Sequence, residues 1–270
     1  MLTTTTKNIR SLGPTTTTLS RGPKDDHRIG GNPDVALQEE GKEGSILGWF
    51  VRQVSENRLG LFMSIAYFAI GFSPITALAL AIMGLIPLGI STLLFVVPST
   101  VVGIALALWF PRYGKLALKG LLIGLVAVFL YDCMRVPFIL SGAWGDFIPN
   151  INMWLFNTSE PDWVVGYIWR YVGDGGFMGM AFTVAYCVLK PRVSPKIAAL
   201  GFGVGIWICL VLTLMLAPHG EEMLFALTPT TVSLSLLGHI IYGVVIGLLV
   251  PYVYGKGFES TPWYAGASDE

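Results

Sequence analysis

The chain alternates long apolar runs with short polar ones, and the run lengths predict its architecture. A helix needs about 20 apolar residues to cross a hydrocarbon core about 30 Å thick. Six stretches are long enough: residues 61–83, 88–110, 118–141, 163–189, 197–217 and 230–254. The first two share one apolar run of fifty residues, 61–110, more than one span can use. Gly84-Leu85-Ile86-Pro87-Leu88-Gly89 is where that run folds back. Pro74, Pro98 and Pro137 predict kinks in the first three spans. The fold class read from this pattern is all-α: a polytopic membrane protein of six transmembrane helices.

Charge fixes the direction of threading. Of the 17 basic residues, eight precede residue 59. Arg112, Lys115 and Lys119 gather where the second span gives way to the third, Lys190, Arg192 and Lys196 lie between the fourth and fifth, and Lys256 follows the sixth. The remaining three connections hold no Lys or Arg. Basic residues favour cytoplasmic loops, so the alternation predicts cytoplasmic N- and C-termini and places 142–162 and 218–229 outside. Composition agrees: 13% of residues are charged against about 25% in soluble domains. The net charge of zero gives no reason to expect nucleic acid as a partner.

Outside the spans the chain is plainer. Residues 1–44 are rich in Thr, Gly and charge, which predicts a disordered cytoplasmic tail. They lack the early apolar core of a secretory signal. Residues 45–58, SILGWFVRQVSENR, suit either a short amphipathic helix on the inner membrane surface or an ordinary extension of the first span. Residues 257–270 form a short cytoplasmic tail. The connection 142–162 carries Trp144, Phe147, Trp154 and Phe156, which suit an aromatic belt at the interface or a lid over an outward-facing cavity.

Candidate chemistry lies in the spans themselves, where ionisable groups are costly and need a partner or a wet cavity. Asp132 and Arg135 share one face of the third span, Arg170 and Asp174 one face of the fourth, and His239 lies in the sixth. At 1.5 Å per residue all five sit about 10–16 Å from the outer ends of their helices, in one slab. The two Asp and two Arg are able to neutralise one another as structural ion pairs or to line an ion or substrate pathway. His219, Glu221 and Glu222 stand at the outer mouth. No HExxH, paired-His or Cys spacing indicates a metal, and no cofactor is indicated. Cys133, Cys187 and Cys209 read as small packing residues.

Small residues predict how the spans meet. Gly120 and Gly124 lie on the third span, Gly173, Gly176 and Gly179 on the fourth, and His239, Gly243 and Gly247 recur every four residues on the sixth. Such faces let helices, or a second copy or partner protein, approach closely. The run GDGGFMG at 173–179 also allows a break of the fourth span around Asp174. The last span, LLGHIIYGVVIGLLVPYVYG, has the pattern G-H-x-x-Y-G-x-x-x-G. Over these 20 residues it resembles the final helix of YagU-like bacterial multi-pass inner-membrane proteins. The resemblance implies a bacterial polytopic protein of the plasma (inner) membrane and carries over no catalytic residue.

Three functions compete. Spans 61–141 and 163–254 divide into halves of three, which would make inverted repeats of the kind found in transporters. A small permease or ion-coupled transport protein is therefore the leading expectation. The second is a non-catalytic scaffold or accessory subunit held together by glycine faces and ion pairs. The third is a membrane enzyme using Asp132, Asp174, Glu222 and His239, for which no GxSxG, P-loop or dinucleotide motif gives support.

Overall fold

A computed structural model describes residues 51, 54–189 and 193–254. The tail 1–44, most of 45–58 and the stretch 257–270 lie outside the described residues. The helices that build the fold follow in order: α1 (Arg58–Ile82), α2 (Leu88–Trp109), α3 (Pro111–Leu140), α4 (Ile151–Phe156), α5 (Trp163–Leu189), α6 (Pro195–Leu216), α7 (Gly220–Met223) and α8 (Pro229–Tyr254). Among the described residues there is no strand. Six of the helices, α1, α2, α3, α5, α6 and α8, are long and apolar enough to cross a membrane.

Local chemistry explains where the spans begin and end. The run 61–110 folds at Gly84, whose φ of +71° is open to glycine at no steric cost, and Pro87 precedes the resumed helix. α3 starts at Pro111, seven residues ahead of the expected 118, because proline's fixed φ suits a first helical position. Arg112, Lys115 and Lys119 thus ride on the opening turns of α3, with Phe110 alone joining it to α2. Asp162 Oδ1 accepts from Val165 N at 3.0 Å and caps α5. Ser194 Oγ accepts from Ile197 N at 3.4 Å, with Pro195 next, and caps α6.

The six spans pack as a curled row: α2 on α1, α1 on α5, α5 on α3, α3 on α8, α8 on α6. α5 is the most enclosed of them. An inverted repeat would pair α1 with α5 and α3 with α8 as equivalents. The close α3–α5 packing has no counterpart between α1 and α8, so the packing does not repeat in that way.

Every glycine singled out as a packing residue closes against another helix of the same chain. A Cβ on Gly124 would collide with the backbone of Gly175, one on Gly179 would run into Gly124, and one on Gly120 would lie 2.7 Å from Thr183 Cβ. Gly173 faces Pro74 of α1 at 3.3 Å, and Gly176 faces Leu121 of α3 at 3.2 Å. Gly243 and Gly247 seat on Ala199 and Lys196 of α6. These faces are filled by neighbouring helices of the same chain. Close approach of this kind is how helices gain van der Waals contact where lipid removes the hydrophobic drive.

α5 does not break at GDGGFMG. It widens into π-helical turns over Trp169–Gly176 and returns to α-helix at Phe177. A wide turn frees backbone groups without exposing a helix end, and Tyr242 of α8 uses one of them, donating its hydroxyl to Gly175 O at 2.6 Å.

Candidate functional site

The spans bring the five buried ionisable residues together. Arg170 Nη2 donates to Asp132 Oδ1 at 3.3 Å, and its Nη1 lies 3.9 Å from Asp174 Oδ2. Arg135 Nε lies 3.4 Å from the same Asp132 oxygen. Each of these pairs joins residues that the helical spacing had placed at one depth. The Arg170 guanidinium also lies 4.5 Å over the ring of Tyr131, a geometry in which the ring quadrupole attracts the cation.

A third carboxylate completes the cluster. Asp146, from the connection after α3, accepts from Arg135 Nη2 at 3.2 Å through Oδ1 and from the Tyr167 hydroxyl at 3.2 Å through Oδ2. Its Oδ1 also accepts from Ile148 N at 3.3 Å. Arg135 Nη2 is shared with Tyr167 Oη at 3.2 Å. Arg135, only 1% exposed, thereby ties the loop to α3 and α5. Neither Asp146 nor Tyr167 follows from helical spacing, since one is in a loop and the other carries its polarity at the tip of an aromatic ring.

His239 is held by α8's own backbone, its Nδ1–H donating to Ser235 O at 2.7 Å. That bond leaves Nε2 as the acceptor when the ring is neutral. The imidazole stands edge-on to Tyr131 of α3 with centroids 5.4 Å apart. Gly203 of α6 touches the backbone carbonyl of His239, while the side chain turns toward α3. The motif G-H-x-x-Y-G-x-x-x-G is thus used throughout: Gly238 admits the Tyr131 ring, Tyr242 reaches α5, and Gly243 and Gly247 seat on α6.

The cluster is not sealed among helices. A cavity of about 330 Å³ lies against it, with Arg135, Arg170, Asp174 and His239 on its polar wall. Its other walls are apolar, built chiefly by α1 and α6. Asp132 lies behind Arg170 and Arg135 and does not reach the cavity. Asp174 is 8% exposed, and its Oδ1 and the Trp169 Nε1 are both buried without a hydrogen-bond partner.

Two connections roof the cavity. Trp144 and Phe147 come from 142–162 and Leu224 and Phe225 from 217–228. Trp144, 2% exposed, meets Phe225 edge-on at 5.5 Å, and Phe147 lies 6.2 Å from the same ring. Half of the aromatic set of 142–162 therefore turns inward as a cover, while Phe156 stays exposed. His219, Glu221 and Glu222 sit above this roof and do not line the cavity. His219 Nδ1 pairs with Glu222 Oε2 at 3.4 Å, and Glu221 Oε1 accepts from Leu227 N at 2.9 Å. The Glu222 side chain is 81% exposed and remote from His239's pocket, so the set Asp132, Asp174, Glu222 and His239 is not assembled. Among the described residues no three of His, Cys, Asp or Glu converge as a metal-ligand group, and no disulfide links Cys133, Cys187 and Cys209.

No family model, curated protein or solved structure matches the chain.

Proposed function

We propose that the protein is a small permease whose binding cavity is the roofed pocket at Arg135, Arg170, Asp174 and His239. One observation carries this reading: four of the five intramembrane ionisable residues border an internal space and are not buried only against one another. Ion pairs that served assembly alone would be cheapest with no cavity beside them, because a void removes packing contacts and admits water to compete. At about 330 Å³ the pocket falls within the usual range for small-ligand sites, about 300–1,000 Å³. Its few polar groups on a mostly apolar lining also match such sites. The scaffold reading retains a narrower basis in Arg135, Asp146 and Tyr167, whose contacts hold the roof in place.

The test is uptake by proteoliposomes given a mixture of small metabolites under an imposed proton gradient, with the retained compounds identified by mass. Wild-type vesicles are expected to accumulate particular compounds that protein-free vesicles do not. Asp174→Asn, which keeps shape but removes the charge, is expected to abolish that uptake with little change in thermal stability. Equal accumulation with and without protein sinks the permease reading.

The reading places the roof outside the cell membrane, in the orientation that the basic residues favour. In a background without the native cysteines, Ser159→Cys and Glu222→Cys are expected to react with an impermeant thiol reagent on intact cells, and Ser194→Cys is not. All three positions are exposed. Labelling at Ser194→Cys alone would invert the topology.

A further inference from the structure

The cavity has a side as well as a roof. α1 and α6 form its apolar walls, yet they are not neighbours in the curled row and do not pack closely on each other. Two contacts bracket that side. On the side away from the roof, Phe72 and Phe202 stand edge-on at 6.0 Å. At the roof, His219 N, in the connection after α6, donates to Ile82 O at 3.3 Å. Between these points ten residues of α1 run about 15 Å along the helix. Thr76 on α1 and Cys209 on α6 line the cavity there and are also exposed. Both helices carry exposed apolar side chains, Ile65 and Phe68 on α1 and Ile208 and Leu212 on α6.

We infer that this gap is a lateral portal, and that the ligand is a single-chain amphiphile with a zwitterionic, ammonium-bearing head, drawn from the bilayer. The inference rests on the permease reading for what happens after binding, but the site stands without it. The polar wall offers both signs, Arg170 and Arg135 for an anionic group and Asp174 for a cation. Three carboxylates, Asp132, Asp146 and Asp174, face two guanidinium groups, so the cluster has one carboxylate more than it has guanidinium partners. Asp174 is the carboxylate held most loosely, 3.9 Å from its guanidinium, and is the one that borders the cavity. An ammonium there completes the charge balance.

Size limits the rest of the molecule. The cavity is about 330 Å³, near the low end of the ~300–1,000 Å³ typical of small-ligand sites. That holds a small head and the first carbons of a chain, but not two acyl chains. The remainder of one chain passes between α1 and α6 into the hydrocarbon, where its transfer costs nothing because it never leaves an apolar medium.

The probe is a lysophosphatidylethanolamine carrying a photoreactive diazirine on its chain, added to the full-length protein in phosphatidylcholine nanodiscs. Crosslinks are expected on α1 between Phe72 and Ile82 and on α6 between Ile206 and Thr213. They should be saturable, and unlabelled lysolipid should compete for them. Filling the portal with Thr76→Trp, or independently with Cys209→Trp, should cut labelling about tenfold or more while the melting midpoint holds. Asp174→Asn should do the same. The same chain on a phosphate-only head should label more weakly.

Labelling spread evenly over α2 and the other lipid faces, indifferent to all three substitutions, would mean ordinary boundary lipid and would overturn the inference. Glycerophosphoethanolamine, the head without a tail, should not compete. If it competes as well as the lysolipid, entry is from water, the lateral portal falls and the permease reading stands. If the lysolipid binds as expected but is not moved between leaflets in vesicles, the ligand assignment holds and the permease reading falls.

Discussion

Arg170→Ala is expected to lower the thermal stability of the detergent-solubilised protein sharply, and Arg170→Ala with Asp174→Asn is expected to recover much of the loss. Removing one member of a buried ion pair typically costs about 3–5 kcal/mol, because the other charge is left uncompensated. Distances decide which partner is orphaned. Arg170 is closer to Asp132, at 3.3 Å, than to Asp174, at 3.9 Å. Asp132 keeps a second guanidinium, that of Arg135 at 3.4 Å, whereas among the described residues Asp174 pairs with Arg170 alone. Neutralising the more distant carboxylate is therefore the effective rescue. Arg170→Ala with Asp132→Asn should rescue little, since it still strands Asp174 and also takes a partner from Arg135. Melting midpoints of the three variants against wild type give the answer. Equal rescue by the two double variants would show that the cluster shares charge as one pool and that Asp174 has no special dependence on Arg170.

Much of this arrangement is legible in the sequence, for reasons that are physical and particular. The six spans follow from run length, because a bilayer imposes one minimum on every crossing. Asp132, Arg135, Arg170, Asp174 and His239 could be placed together because a helix converts residue number directly into depth, and the basic loops fix where each helix starts. The glycine stripes were legible because packing without a hydrophobic drive selects small residues. Their targets were not. His239, Gly243 and Gly247 look like one stripe, but at 100° per residue a four-residue step drifts by about 40°. The two glycines reach α6, and the imidazole swings to Tyr131 of α3.

Asp146 shows a different limit. It lies in an aromatic connection with no helical register, so nothing along the chain points it at Arg135. The available signal was an acid set among the aromatic residues at the start of a connection that carries no Lys or Arg. Tyr131, Tyr167 and Tyr242 each put one hydroxyl or one ring face at the cluster while counting as apolar in any pattern of runs. The cavity was the least legible feature, because it lies between two helices that do not pack closely. Periodicity reports which faces are covered and is silent about a gap between two faces. The π-helical turns of Trp169–Gly176 were hidden for a related reason, since a glycine-rich segment with one acid reads equally as a break, a packing face or a widened helix.

Arg135 and Asp146 should separate global stability from the closing of the roof. In the intact cluster three carboxylates face two guanidinium groups. Arg135→Ala leaves three against one, with Asp146 and Asp132 both short of a partner, and is expected to destabilise the whole protein by about 3–5 kcal/mol. Asp146→Ala leaves two against two. Arg135 then retains Asp132 at 3.4 Å and Tyr167 at 3.2 Å, so no charge is stranded and the melting midpoint should fall far less. What Asp146→Ala removes is the attachment of the loop, which holds Arg135, Tyr167 and Ile148 N through this one side chain. Local opening draws on the weakest cooperative unit and need not follow global unfolding. Hydrogen exchange in residues 144–156 is therefore expected to rise strongly in Asp146→Ala, with α3 and α5 protected as in wild type. Asp146→Asn, which keeps one oxygen able to accept from Arg135, should fall between. Were Asp146→Ala to unfold α3 and the loop together, the loop would be part of the helical core, and the roof over the cavity would have no freedom to open.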